Sequence, residues 1–415
     1  MKLSRIGRIS MAFVVSVAMG LGMTACGGGT IGYLWVLGTQ YNQIAGFKID
    51  NFSGNLTQIP KAPFSSGGTN PVSIVKRPGG RYVYVLNQGN STTAGNIAEF
   101  SVGGDGVLTF QAAFNSTGSI PMWAATDASG AFLYVLDQQA KDAVCSGPAV
   151  TATSCFGSIT VFAIASDTGR LQLVPNQQVK DANNTQLTYF PVGLKPTMLR
   201  LSGGSCLFTM DTGDNTIFPY NVGSNGQLTL TTNSTITTGA TKLTSINTNG
   251  ANVYLTDTGS TVNGPGQILP YTVGTGCALN TLTGGAVPNL PAATNPVYSL
   301  TDSQGKFLYV LNQSTTNSNA AAGSSISAFT IDPTSSRLSP IPLGGTSNPY
   351  PVGSGPVCMV EDPSNQYLYT SNHVDGSVTG KQINKNTGEL TDLQHGSTFP
   401  ATGLSTCLEV SGNVN

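Results

Sequence analysis

An all-β propeller of seven four-stranded blades is the fold this sequence predicts, on three observations. A short aromatic strand motif recurs seven times along the chain. Each copy is followed by the same strand, turn and leucine. The recurrence comes about every 55 residues, a period that belongs to radial repeats.

The motif is clearest in Tyr82-Val-Tyr-Val-Leu-Asn87, Phe132-Leu-Tyr-Val-Leu-Asp137 and Phe307-Leu-Tyr-Val-Leu-Asn312. Leu207–Asp211, Val253–Asp257, Leu368–Asn372 and Leu34–Gly38 keep the same register. A second strand then centres on Phe47, Phe100, Phe162, Tyr220, Tyr271 or Phe329, with Lys381 the one exception. A turn, usually Gly-rich, leads to the leucine that opens a third strand: Leu56, Leu108, Leu171, Leu228, Leu279, Leu338 and Leu390. Alternating Val, Ile, Tyr and Thr between Gly, Asn, Asp and Pro is what half-buried antiparallel strands with tight turns require.

One more strand precedes each aromatic run, often behind a proline: Val72–Lys76, Met122–Asp127, Val297–Asp302 and Val357–Asp362 are examples. The first unit lacks this leading strand, whereas the chain ends with a spare one, Gly403–Val410. Joining them completes the seventh blade and closes the ring. Residues 33–415 are therefore expected to form a single propeller domain.

Composition limits the function. Of 415 residues 9% are charged, against about 25% in an average domain, and the formal net charge is −1. So few cations leave no basic stripe for phosphates, and nucleic-acid binding is not expected. No His, Cys or carboxylate set has zinc spacing, and no metal or cofactor is expected.

Residues 1–25 read as a targeting segment, with Lys2, Arg5 and Arg8 ahead of an apolar stretch that ends at Thr24-Ala25-Cys26-Gly27. The apolar run is short for a membrane span. The junction resembles the bacterial lipoprotein signal, which implies cleavage before Cys26, acylation of its thiol, and a Gly-rich tether over 26–32. Two or three acyl chains make a stable anchor. Gly27 resembles the outer-membrane-sorted class. The expectation is an exported protein, membrane-anchored through lipid, on the periplasmic or surface side.

Six cysteines remain once Cys26 is set aside. Cys145 and Cys155 share one long loop and are expected to staple it. Cys206 and Cys277 fall on turns of adjacent blades on one face, where they can meet. Cys358 and Cys407 sit on leading strands at the seam with the same parity, so a bridge and a pair of buried thiols both stay open. The connections on the opposite face vary most in length (138–157, 176–195, 259–266 and 313–324), and that face is expected to carry binding.

The Tyr-Val-Leu-Asn strands, the Phe-x-Ile-Asp-x-x-x-Gly-x-Leu hairpins and the count of seven resemble the seven-bladed lactonase family, related to YVTN-type repeat propellers, over Ile31 to Val410. The resemblance implies lactone ring opening of the 6-phosphogluconolactonase kind. That family is similar throughout in a Gly-Pro-Arg-His…His-Pro stretch on an inner strand, with a Glu and arginines at the channel mouth. Here the corresponding strands begin Asn-Pro-Val-Ser73, Ile-Pro-Met-Trp123, Lys-Pro-Thr-Met198, Asn-Pro-Val-Tyr298 and Gly-Pro-Val-Cys358, and no Arg-His follows.

Lactone hydrolysis needs a base to activate water and a donor set for the oxyanion. The weak catalytic candidates are His373, Arg200 and Glu361; His395, the second of two histidines, falls at the periphery. Two polar sets are candidates for binding. One is the recurring Asn87, Asp137, Asp211, Asp257, Asn312 and Asn372, either a cation ring or turn caps. The other is Lys76, Arg77, Asp127, Arg200, Asp302, Glu361, Asp362 and Glu409, read as lining an axial channel that admits water, a small anion or a sugar acid. The expected function is a cell-envelope binding or scaffold module, with a glycan, an envelope protein or a small polar ligand as partner; the alternative is a lactonase with a rearranged site.

Overall fold

A computed structural model describes residues 29–145, 154–180, 183–203, 205–231, 235–261, 264–313, 324–341 and 348–412. The targeting segment, Cys26 and most of the loop between Cys145 and Cys155 lie outside the described residues, as does most of the 313–324 connection. The described chain folds into seven antiparallel sheets. Seven innermost strands, Ser405–Gly412, Pro71–Lys76, Ser119–Thr126, Pro196–Ser202, Leu243–Asn249, Pro296–Thr301 and Pro356–Glu361, each pack against the next and close a ring. We number the blades 1 to 7 in that order.

The seam is as the repeat count requires. Ser405–Gly412 pairs antiparallel with Thr30–Gly38, placing Gly412 opposite Gly32 and Glu409 opposite Trp35. Each leucine named above opens the fourth strand of its blade. That outer edge is short. In six blades a segment of two or three residues continues it, such as Phe64–Ser65 or Thr398–Pro400, also paired to the third strand. Short, interrupted and largely polar edges resist pairing with other chains.

Neighbouring blades are joined by a repeated latch. The first residue of the motif strand lays its ring on the outer-hairpin turn of the next blade, where a glycine with positive φ leaves room. At Gly106 (φ 81°) a methyl group would come within 2.3 Å of the Tyr33 ring, and Gly54 stands in the same relation to Tyr367 across the seam. The second aromatic of the motif donates to the same glycine's carbonyl: Trp35 Nε1 to Gly106 at 3.1 Å and Tyr369 to Gly54 at 2.6 Å.

Two blades substitute this latch. Between blades 4 and 5 the ring is replaced by Cys206 and the glycine by Cys277 (φ 59°), and the pair forms a disulfide with Cα atoms 5.7 Å apart. Between blades 5 and 6 Asn252 donates to Ser336 at 2.9 Å. Replacing both Cys206 and Cys277 by serine removes a crosslink over 71 residues of sequence, and is expected to cost about 4 kcal/mol. Cys206→Phe with Cys277→Gly installs the latch of the other blades and is expected to recover part of that loss. Chemical denaturation midpoints of the two double variants check this; equal midpoints would mean that the latch contributes nothing.

The two expected bridges, Cys145–Cys155 and Cys206–Cys277, are present, and so is Cys358–Cys407, which the sequence left open. The parity objection to Cys358–Cys407 falls because both occupy the third position of an inner strand, directly after a register slip. A bulge re-aims the following side chain, and at this position it points to the axis, where equivalent positions of neighbouring blades converge.

Candidate functional site

The position directly after the register slip, third in six inner strands and fifth in Ser119–Thr126, forms an axial tier: Ser73, Trp123, Met198, Ser245, Tyr298, Cys358 and Cys407. Trp123 of blade 3 and Tyr298 of blade 6 meet with ring centroids 6.3 Å apart. Blades three places apart touch only across the axis, so the two rings meet there. Arg200 from blade 4 completes the group. Its guanidinium lies 4.6 Å from the centre of the Trp123 ring and 5.7 Å from that of Tyr298, donates to the Tyr298 hydroxyl at 3.0 Å, and donates to the carbonyl of Leu199 at 3.3 Å. Stacking on an indole face holds a guanidinium without neutralising it. Two of its five N–H groups are accounted for by these bonds, and the rest of the planar fork is preorganised for an acceptor.

Four of the eight residues read as channel-lining lie elsewhere. Asp127, Asp302 and Asp362 each fall one residue beyond the end of an inner strand. Their carboxylates accept backbone N–H groups of the turn that follows: Phe132 N to Asp127 at 2.7 Å, Phe307 N to Asp302 at 2.7 Å and Tyr367 N to Asp362 at 2.6 Å. The side chain of Asp closes such a turn before the strand can extend further. Arg77 reaches sideways to the carbonyls of Gly130 at 2.9 Å and Ser166 at 3.2 Å in blade 3.

Lys76, Arg200, Glu361 and Glu409 are on inner strands. Lys76 donates to the Val410 carbonyl at 2.7 Å, with Glu409 3.7 Å away, and ties blade 2 to blade 1. Glu361 accepts from the backbone N–H of Ser303 at 2.7 Å and from its hydroxyl at 3.3 Å. Burial pushes its carboxyl up to about 7, the Ser303 backbone bond opposes that, and Asp302 and Asp362 add to it.

The catalytic candidates are not assembled. His373 is half-buried in the second-to-third-strand turn of blade 7, and its Nδ1 lies 2.8 Å from the Ser405 carbonyl of blade 1. It braces the seam. Arg200 is held by Trp123 and Tyr298, and Glu361 by Ser303. These three candidates have no partner in common. His395 is exposed in an outer turn of blade 7.

The recurring Asn and Asp residues cap connections. All six are fully buried. Asn87 donates to the Ser66 carbonyl at 3.0 Å, Asp137 accepts from the Ser116 hydroxyl at 2.6 Å, and Asp257 accepts from the N–H groups of Thr241 and Lys242 at 3.1 and 2.8 Å. Asn312 and Asn372 bond Ser327 and Ser377, each at 2.9 Å. Asn87, Asp137 and Asp257 thereby fasten the incoming connection of their blades, whereas Asn312 and Asn372 tie the second strand to the third, and Asn312 also accepts from Asn289 of the incoming connection at 2.8 Å. Burial drives Asp137 up to about 7 despite the Ser116, Thr160 and Gly118 bonds. Asp211 is raised well above the ordinary range by burial, with Asp214 adding to it. Asp257 departs the other way: against its burial, bonds from Gln267 and the Gly259, Lys242 and Thr241 N–H groups hold it low.

Trp123 and Tyr298 are the partners of Arg200 that the reading by charge alone passes over. Their signal was the column two residues after each inner-strand proline, where one Trp and one Tyr stand among Ser, Met and Cys.

Residues 30–146 match the family described as "Lactonase, 7-bladed beta-propeller". No curated protein matches the sequence. Among solved structures, the periplasmic gluconolactonase PpgL of Pseudomonas aeruginosa is 17% identical, covers 93% of this chain and 100% of its own, and superposes with a TM-score of 0.65. A candidate 6-phosphogluconolactonase from Bacteroides fragilis is 18% identical, with 93% and 99% covered and a TM-score of 0.65. A protein from Lactobacillus plantarum is 17% identical, with 92% and 100% covered and a TM-score of 0.67. At such identities the structural likeness establishes the fold. The chain is thus a seven-bladed β-propeller, similar in sequence to that family over residues 30–146 and similar in fold to these structures over 92–93% of its length.

Proposed function

We propose that this protein is a binding module of the cell envelope, anchored through a lipid on Cys26, which holds a small polar ligand of the sugar-acid type at the axis and does not turn it over. The observation that carries this reading is the company of Arg200. A guanidinium fixed between Trp123 and Tyr298 offers a carboxylate a rigid donor and an aromatic wall. Hydrolysis needs a base beside that cation, and the nearest things to bases in the candidate set are committed to backbone groups at Ser405 and Ser303. A docking role for a glycan or an envelope protein uses the same face and the same anchor.

Lactone hydrolysis is the second reading, favoured by the family match over residues 30–146 and by the name of the Pseudomonas aeruginosa structure. There Arg200 stabilises the oxyanion and His373 is the base, which requires His373 to leave the Ser405 carbonyl.

Purified protein assayed on a panel of aldonolactones, with Arg200→Ala and His373→Ala beside it, decides between them. The expected result is gluconate binding, followed by Trp fluorescence, that weakens at least about tenfold in Arg200→Ala, a change of roughly 1.4 kcal/mol, with no turnover that depends on either residue. Turnover abolished by both substitutions would establish the hydrolase.

A further inference from the structure

Blade 7 breaks the sevenfold pattern at one point. The third-strand position occupied by Phe47, Phe100, Phe162, Tyr220, Tyr271 and Phe329 is buried in every blade, and in blade 7 it is Lys381, 4% exposed. An ammonium there forgoes the apolar burial of a ring and loses its own hydration, a double cost that packing alone does not explain.

Lys381 donates to Asp392, its cross-strand neighbour, at 2.6 Å. The two are unequal: the lysine side chain is 5% exposed and the aspartate 73%. The hydrogen bond from Lys381 comes first among the causes that hold the Asp392 carboxyl below its usual range. Ser397 also donates to Oδ1 of Asp392, at 3.2 Å. Among the described residues this leaves Oδ2 of Asp392 and two N–H groups of Lys381 free to bond a ligand. The pair borders a cavity of about 370 Å³, walled also by Val352, Gly353, Leu393 and Thr398, with Asp375 at its edge.

We propose that this cavity binds a neutral sugar or polyol of about hexose size. Its volume falls within the range of small-ligand sites. It presents a fixed cationic donor, one unbonded carboxylate oxygen and the Thr398 hydroxyl, facing the apolar side chains of Val352 and Leu393. A ring that carries hydroxyls at its rim and C–H groups on its face satisfies both. One ammonium against two carboxylates makes the cavity net negative, which selects against sugar acids and phosphates. The site is separate from the axial group, so lactone turnover at Arg200 would leave the inference standing.

Saturation-transfer NMR on the intact protein tests it, using glucose, galactose, N-acetylglucosamine and myo-inositol, with glucuronate as the anionic control. At least one neutral member is expected to bind, with affinity falling about tenfold or more in Lys381→Phe and in Asp392→Asn and unchanged in Arg200→Ala. Lys381→Phe restores the residue type of the other six blades and is expected to melt at or above the wild-type temperature. No transfer from any neutral member, binding undiminished in both blade 7 variants, or preference for glucuronate would each overturn the proposal. So would a Lys381→Phe protein that melts well below wild type, because the lysine would then serve packing.

Discussion

A chain ending at Leu404 is expected to show no cooperative unfolding transition and no native near-ultraviolet circular dichroism. The missing strand, Ser405–Gly412, is the innermost strand of blade 1 although it comes last in the sequence. It buries Cys407, Leu408 and Val410, each apolar side chain worth about 1.5 to 3 kcal/mol. It also carries the Cys358 disulfide, the Ser405 carbonyl held by His373, and the Val410 carbonyl held by Lys76. Without it the edge of Thr30–Gly38 is unpaired and Trp35 loses its cross-strand neighbour Glu409. Stability of a domain is about 5 to 15 kcal/mol, so losses of this size are decisive. A truncated protein that still melts cooperatively within a few degrees of the full chain would show that the ring does not need its seam.

Stability is also expected to fall as pH rises from about 4 to 7. The unfolded chain releases its Asp protons near pH 4, whereas folded Asp137 holds its proton to about 7, mainly because it is buried. Folding therefore favours the protonated form. The contribution is complete below about pH 4, is lost progressively as pH rises, and is gone above about 7. Three units correspond to about 4 kcal/mol at most. Asp211 and Glu361 act in the same direction, and Asp257, whose carboxyl is held low, acts in the opposite one as pH falls. Blades 2, 6 and 7 place Asn at the equivalent position, so Asp137→Asn is a substitution the fold already accepts. It is expected to flatten the slope of stability against pH between about 4 and 7. Denaturant titrations at four pH values give that slope; one unchanged in Asp137→Asn would mean that this carboxyl is ionised in the folded protein.

The strands were legible because each blade repeats one pattern of alternation, and the same leucine opens the fourth strand seven times. The turn caps were legible as a repeated column, but their chemistry was not: Asp137 and Asp257 occupy equivalent positions, yet one is driven up and the other held down. Four backbone and side-chain donors surround Asp257, and that difference lies in loops that do not repeat. Reading charge alone placed Arg77, Asp127, Asp302 and Asp362 on the axis, each one residue beyond where its inner strand ends. The buried carboxyl of Glu99, raised by its burial, sits in a column otherwise filled by Gly, Ala, Val and Pro, a departure visible in the sequence once the columns are aligned.

The amino-acid order alone determined the number of blades, the order of their strands, the closure of first with last, and which position of blade 7 is unlike the others, because those properties depend on local periodicity compared with itself. Only the tertiary structure decided which side chains reach the axis and meet there. Trp123, Arg200 and Tyr298 are brought together by the circle the blades close, and the distance across a circle is not written in the spacing along a chain.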